Sequence, residues 1–186
     1  MDKGVEAIDY RRKREAYASQ TGPVRRGVGM ALFWYNTAVW PISLESSSCR
    51  MVLNQDGSVQ VQTGETEIGQ GCDTAYAQMA ADVIGIPFED VHVVSTQDTD
   101  VTPFGTGAYA SRQTYVGGFA IEQTGSMLKK KILDCASEIT RQTPANLDVI
   151  DGQIVRISDG RTLMSLGELA AEVLYSLEHS QHLTAE

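Results

Sequence analysis

The chain has 186 residues, with 15 Lys and Arg against 24 Asp and Glu, and a formal net charge of −9. This length suits one domain or two small ones, and the apolar and charged fractions, 42% and 21%, are those of an ordinary globular fold. The acidic balance argues against a phosphate-neutralising nucleic-acid surface, no apolar run reaches the ~20 residues of a membrane span, and the charged first ten residues lack the apolar stretch of a secretion signal.

Residues 9–19 are charged and free of β-branched residues, and they predict a short exposed helix that Gly22-Pro23 ends. Residues 27–39, rich in small, aromatic and β-branched types, read as a buried strand with a loop after it. The short basic clusters, at residues 11–14, 25–26 and 129–131, read as solvated faces. Cys49, Cys72 and Cys135 are far apart and form no C-x-x-C pair, which argues against a structural zinc or an iron–sulfur cluster held by this chain. An odd cysteine count also fits a reducing compartment, and the expected location is the cytoplasm.

Residues 49–54 and 58–63 are strand-like runs around Asp56-Gly57, a strong hairpin signal. A loop of residues 64–71 follows. Tyr76, Met79, Ala80 and Val83 then recur at helical spacing, and Gly85 and Pro87 end that helix. Residues 91–95 form a strand, residues 97–107 a second polar loop, and residues 110–141 a long helix with Ile121, Leu128, Ile132 and Cys135 on one face. A further hairpin turns at Asp151-Gly152. Ser165 and Glu168 make the S-x-x-E capping box of a last helix, with Leu166, Leu169, Ala170, Val173, Leu174 and Leu177 as its buried stripe. Residues 181–186 carry no closing signal and predict a disordered tail or a segment boundary. This order predicts an α+β fold, a mixed sheet with hairpins and with helices packed on one face.

Two loops concentrate the chemistry. Gly69-Gln70-Gly71 runs into a helix, whose first turn offers free amides and partial positive charge. Glycines there let a ligand approach the backbone, and the Gln70 amide both donates and accepts. Gly107-Ala108-Tyr109-Ala110-Ser111-Arg112 repeats the logic with small residues, a hydroxyl and a cation. Each loop is equally readable as a tight helix start, with Arg112 paired to a local acid such as Asp98 or Asp100. Neither is a G-x-G-x-x-G nor a P-loop pattern, which excludes an ordinary dinucleotide fold or nucleoside triphosphatase. His92, His179 and His182 have no partner at metal-ligand spacing. Cys72 at a helix start is a candidate for a lowered pKa, and a Cys72/His92 pair lacks an orienting third residue.

Together the loops resemble the molybdopterin-binding subunits of the xanthine dehydrogenase and aldehyde oxidase family. Residues 64–74, Gly-Glu-Thr-Glu-Ile-Gly-Gln-Gly-Cys-Asp-Thr, are similar to that family's G-x-x-E-[IM]-G-Q-G-x-x-T segment, and residues 107–112 to its bacterial G-x-[YF]-[AG]-S-R loop. The resemblance implies that residues 25–186 are part of a molybdenum-cofactor-binding domain after a charged helix and linker over residues 1–24. It implies that Gly69, Gln70 and Gly71 meet the pterin or its phosphate end, and that Gly107, Ala108, Tyr109, Ala110, Ser111 and Arg112 line the other side. The implied cofactor is molybdopterin, in its cytosine dinucleotide form, with molybdenum; FAD and 2Fe-2S clusters would sit on other subunits or domains. The implied partners are the rest of the molybdenum subunit, the FAD-binding and iron–sulfur subunits and a small heterocyclic substrate. The implied reaction is hydroxylation of a purine, a related N-heterocycle or an aldehyde, with water as the oxygen source. The family's catalytic G-x-G-E glutamate, its upstream cofactor loop and its substrate-orienting arginine have no match here, so no catalytic residue is assigned and the isolated chain is expected to be inactive. The alternative function is a non-catalytic interaction or assembly module.

Overall fold

The computed structural model describes residues 1–37, 45–94, 98–177 and 180–186. Two compact units divide at Tyr35 and Asn36. The first holds two short helices, α1 (Asp2–Ala7) and α2 (Tyr10–Ala18), neither with a buried residue. The strand expected over residues 27–39 is not formed as far as residue 37, and its last two residues lie outside the described ones. Among the described residues no strand pairs with this stretch, so its backbone has no sheet edge to bond there. Phe33 and Trp34 are 90% and 91% exposed, so aromatic composition here does not mean burial.

The second unit is built on the hairpin β1 (Cys49–Leu53) and β2 (Val59–Thr63), in register from Cys49↔Thr63 to Leu53↔Val59. Its turn is held by the Asp56 carboxylate, which accepts from the Ser58 amide at 2.9 Å. Alternation does the rest: Cys49, Met51, Leu53, Val59 and Val61 all face the core. Strand β3 (Val91–Val94) lies parallel to β2, which makes the sheet mixed; Ser95 and Gln97, expected in that strand and the next loop, lie outside the described residues.

Helix α3 (Cys72–Ile84) and helix α4 (Gly118–Thr140) cover the buried face of this sheet. The long helix expected over residues 110–141 begins instead with a π-helical turn at Gln113–Gly117, after two left-handed residues, Ala110 and Ser111. Ile121, Leu128 and Ile132 of α4 are fully buried, and burying each such side chain contributes about 1.5–3 kcal/mol.

A second sheet, β4 (Leu147–Ile150), β5 (Gln153–Arg156) and β6 (Arg161–Ser165), carries the expected hairpin plus one edge strand. Helix α5 (Leu166–Tyr175) starts at the full capping box, with Ser165 Oγ accepting from the Glu168 amide and Glu168 accepting from the Ser165 amide. Its stripe is buried at Leu166, Leu169, Ala170 and Val173, whereas Leu177 lies past the helix end and is fully exposed. The chain's last residues are not disordered. Strand β7 (Thr184–Ala185) pairs antiparallel with β1, giving the order β3-β2-β1-β7, and Leu183 and Ala185 are buried.

Candidate cofactor site

The first loop leaves β2 and re-enters the chain at α3. Gly69 and Gly71 have φ of 96° and 84°, left-handed values that glycine adopts without penalty. The amides of Gly69 and Gly71 donate to Glu67 Oε1 at 2.6 and 3.0 Å, and that of Asp73 to Oε2 at 3.2 Å. The amide of Gly71, with those of Asp73 and Gly69, holds the Glu67 carboxyl down at about 2, against the opposing effect of desolvation. The anion at the start of α3 is therefore the protein's own carboxylate.

Cys72 sits behind this turn. Burial, then the charges of Asp73 and Glu67, push its thiol up to about 12. The expected lowering at a helix start is absent because burial disfavours the thiolate and the nearest charges are anionic. His92 is exposed on β3, so the sequence-level Cys/His pairing gains no support.

The second loop holds Gly107, Ala110 and Ser111 at φ of 101°, 49° and 58°. Two successive left-handed residues that are not glycine store local strain, which persists only where surroundings impose it. Arg112 supplies much of that imposition. Its Nη1 donates to both carboxylate oxygens of Glu65 at 2.7 Å and to the Gly107 carbonyl at 2.9 Å. Nε reaches Glu45 at 3.3 Å, Nη2 donates to the Ser46 carbonyl, and the guanidinium lies 5.6 Å from the Tyr109 ring centre. Desolvation opposes the charge, but Glu65 and then Glu45 outweigh it and raise the pKa further. Arg112 is 1% exposed; its donors are spent inside the fold, on Glu65 and Glu45 and not on Asp98 or Asp100.

The loops meet through their side chains. Gln70 donates to the Thr66 carbonyl at 2.9 Å and to Gln113 Oε1, while Gln70 Oε1 accepts from the Ile68 amide at 2.6 Å. Gln113 Nε2 donates to the same Thr66 carbonyl at 2.9 Å. Further in, the Tyr76 hydroxyl donates to the Gln113 carbonyl at 2.9 Å, and burial followed by the Glu65 charge raises that phenol's pKa.

Of the residues picked out in the sequence, Gly69, Gln70, Gly71, Ala108 and Ser111 are exposed, Gly107 and Tyr109 half-buried, and Ala110 and Arg112 buried. A Cβ placed on Gly69, Gly71 or Gly107 would meet nothing within 4 Å, so the backbone at these three glycines faces open space. Beside Ser111 this surface continues into a groove of about 590 Å³ between Met79, Val83, Tyr115 and Phe119. Glu65, Glu67 and Gln113 were missed as working residues. Glu65 and Glu67 belong to the motif itself, but Gln113 carries no sequence signal.

The sequence matches the model of the molybdopterin cofactor-binding domain over residues 3–186. It is 44% identical, across its whole length, to the putative xanthine dehydrogenase molybdenum-binding subunit XdhA of Escherichia coli K12. The carbon monoxide dehydrogenase large chain of Hydrogenophaga pseudoflava is 29% identical over 80% of this chain and 20% of its own. Among solved structures, quinoline 2-oxidoreductase from Pseudomonas putida 86 superposes with a TM-score of 0.62 and 27% identity, over 75% of this chain and 18% of that one. A Cu,Mo-CO dehydrogenase superposes with a TM-score of 0.66 and 26% identity, over 76% and 18%. The chain spans 25% of the length of the XdhA subunit. On the family match and on the identity to XdhA, the chain belongs to the molybdopterin cofactor-binding domain family of xanthine dehydrogenase-type molybdenum proteins.

Proposed function

We propose that the outer face of the two loops is one wall of the molybdopterin site of a xanthine dehydrogenase-type hydroxylase. The observation that carries this reading is the joined pair of loops, with Gln70 presented between backbone at Gly69, Gly71 and Gly107 that no side chain covers. Gln70 would accept a hydrogen bond from an N–H of the pterin through the Oε1 lone pair left beside the Ile68 amide. Gly69 and Gly71 let a flat ligand lie on the chain, while Ala108 and Ser111 bound it from the second loop. Arg112 holds that loop from behind through Glu65, and does not itself meet the ligand. When bound, the molybdenum cofactor supplies the two-electron oxidation of an electron-poor carbon.

Purine, a related N-heterocycle or an aldehyde is the proposed substrate class. The 44% identity to XdhA favours the purine branch. The cytosine dinucleotide form of the cofactor, and FAD and 2Fe-2S partners in the cytoplasm, complete the proposal. No helix among the described residues is long and apolar enough to cross a membrane.

Ala108→Trp tests it in the assembled enzyme. Ala108 is exposed, so the substitution fills the wall with little effect on folding. Loss of bound pterin and molybdenum is expected, with the melting temperature of the cofactor-free protein unchanged, and full cofactor content would refute the assignment. A scaffold reading, in which the loops serve an assembly module, has one observation on its side: Glu67 and Arg112 are both engaged within the fold. Full cofactor content in that variant would favour it.

A further inference from the structure

Gln113 has no role in the reading above, yet its amide is the hinge between the loops. It is 6% exposed. Its Oε1 accepts from Gln70 Nε2, and its Nε2 donates to the Thr66 carbonyl at 2.9 Å, the same oxygen that Gln70 Nε2 reaches at 2.9 Å. Gln70, Gln113 and Thr66 thus close a three-membered ring of hydrogen bonds. Both Nε2 hydrogens of Gln70 are committed in that ring, and its Oε1 already accepts from Ile68. The amide plane of the exposed Gln70 is fixed from behind by a buried neighbour.

The backbone at Gln113 is fixed as well. It opens the π-helical turn, in which the Gly118 amide, five residues on, donates to the Gln113 carbonyl. The Tyr76 hydroxyl of α3 donates to that same carbonyl at 2.9 Å. A π-turn is a rare departure from the α-helical ladder and commonly marks a functional position. Here it sits at the residue whose side chain bonds Gln70 of the first loop.

We propose that Gln113 is a positioning residue that sets the orientation of Gln70 and so controls cofactor retention without touching the cofactor. This rests on the reading of Gln70 as a cofactor contact. Partners that orient a ligand-bearing side chain typically change affinity about 10- to 100-fold when removed.

The test is a mutant cycle in the assembled enzyme, with Gln70→Ala, Gln113→Met and the double variant. Molybdenum and pterin content are measured after dialysis, beside the melting temperature. Gln113→Met is expected to lower retained cofactor about 10-fold, and to add nothing further in the Gln70→Ala background. Gln113→Glu, which keeps the acceptor for Gln70, is expected to retain more cofactor than Gln113→Met, and it serves as the probe if the Met variant does not fold. Multiplying losses in the double variant would overturn the proposal, because Gln113 would then act on its own. Loss with Gln70→Ala but full content with Gln113→Met would overturn it and leave the cofactor site standing. Full content with Gln70→Ala would overturn the cofactor contact itself, and the positioning role with it.

Discussion

Arg112 and Glu65 form a buried ion pair in which both carboxylate oxygens accept from Arg112 Nη1 at 2.7 Å, with neither side chain exposed, and it joins the two loops across the base of the candidate site. Removing Arg112 strands the buried Glu65 carboxylate, and removing Glu65 leaves Arg112 only the longer ion pair to Glu45 at 3.3 Å. Glu65→Ala and Arg112→Ala are each expected to cost about 3–5 kcal/mol, read from urea denaturation midpoints. The apolar pair Glu65→Leu with Arg112→Met is expected to recover part of that loss, since matched apolar replacements of buried pairs are often tolerated. Recovery stays incomplete because the Gly107 and Ser46 carbonyls lose their donor. A double variant as unstable as the sum of the singles would show that the charge pairing is not what couples these positions.

Gly64 and Gly105 hold the loop bases together. A Cβ on Gly64 would lie 2.3 Å from the Phe104 carbonyl carbon, and one on Gly105 2.3 Å from the Gly64 oxygen. Backbone cannot yield as a side chain can, so Gly64→Ala or Gly105→Ala is expected to cost about 3 kcal/mol, the upper range of overpacking. Gly107→Ala meets open space and suffers only its left-handed φ of 101°, at about 1–2 kcal/mol. Equal losses at all three positions would refute the close approach.

Glu67 makes a pH prediction. Its carboxyl is held at about 2, below the ordinary 4.5, first by the Gly71 amide and then by those of Asp73 and Gly69. A depressed folded-state pKa contributes stability that is present above the ordinary value and lost as pH falls through the folded one. Glu67→Gln should therefore lower the urea midpoint at neutral pH, and the gap to the wild type should close between pH 4.5 and about 2. A gap independent of pH would show that the charge does not matter.

Ser165 and Glu168 cap α5 reciprocally. Ser165→Ala is expected to cost about 1 kcal/mol in the denaturation midpoint, with the cofactor content of the assembled enzyme unaffected. Cofactor loss there would mean that α5 reports to the loops in a way these contacts do not provide.

Much of this was readable in the chain. Asp56-Gly57 between alternating runs fixes the first hairpin, Ser165 with Glu168 fixes the start of α5, and glycines mark both loops because local chemistry decides each of them. What escaped depends on distance or on partners. Arg112 finds Glu65 from 47 residues away, and Gln113 finds Gln70 from 43; nothing local announces either pairing. Strand β7 has two residues and no alternation to read, and β6 is an edge strand with Arg161 and Thr162 exposed. The stretch before residue 37 misled because aromatic composition resembles burial when no sheet edge is there to accept it.

The most direct test of the cofactor site is a structure of the assembled, cofactor-loaded enzyme. The expected structure has Gln70 Oε1 within hydrogen-bond distance of a pterin N–H, the ring system lying along Gly69, Gly71 and Gly107, and Arg112 still turned inward to Glu65. A cofactor bound away from both loops, with Gln70 facing solvent, would contradict it.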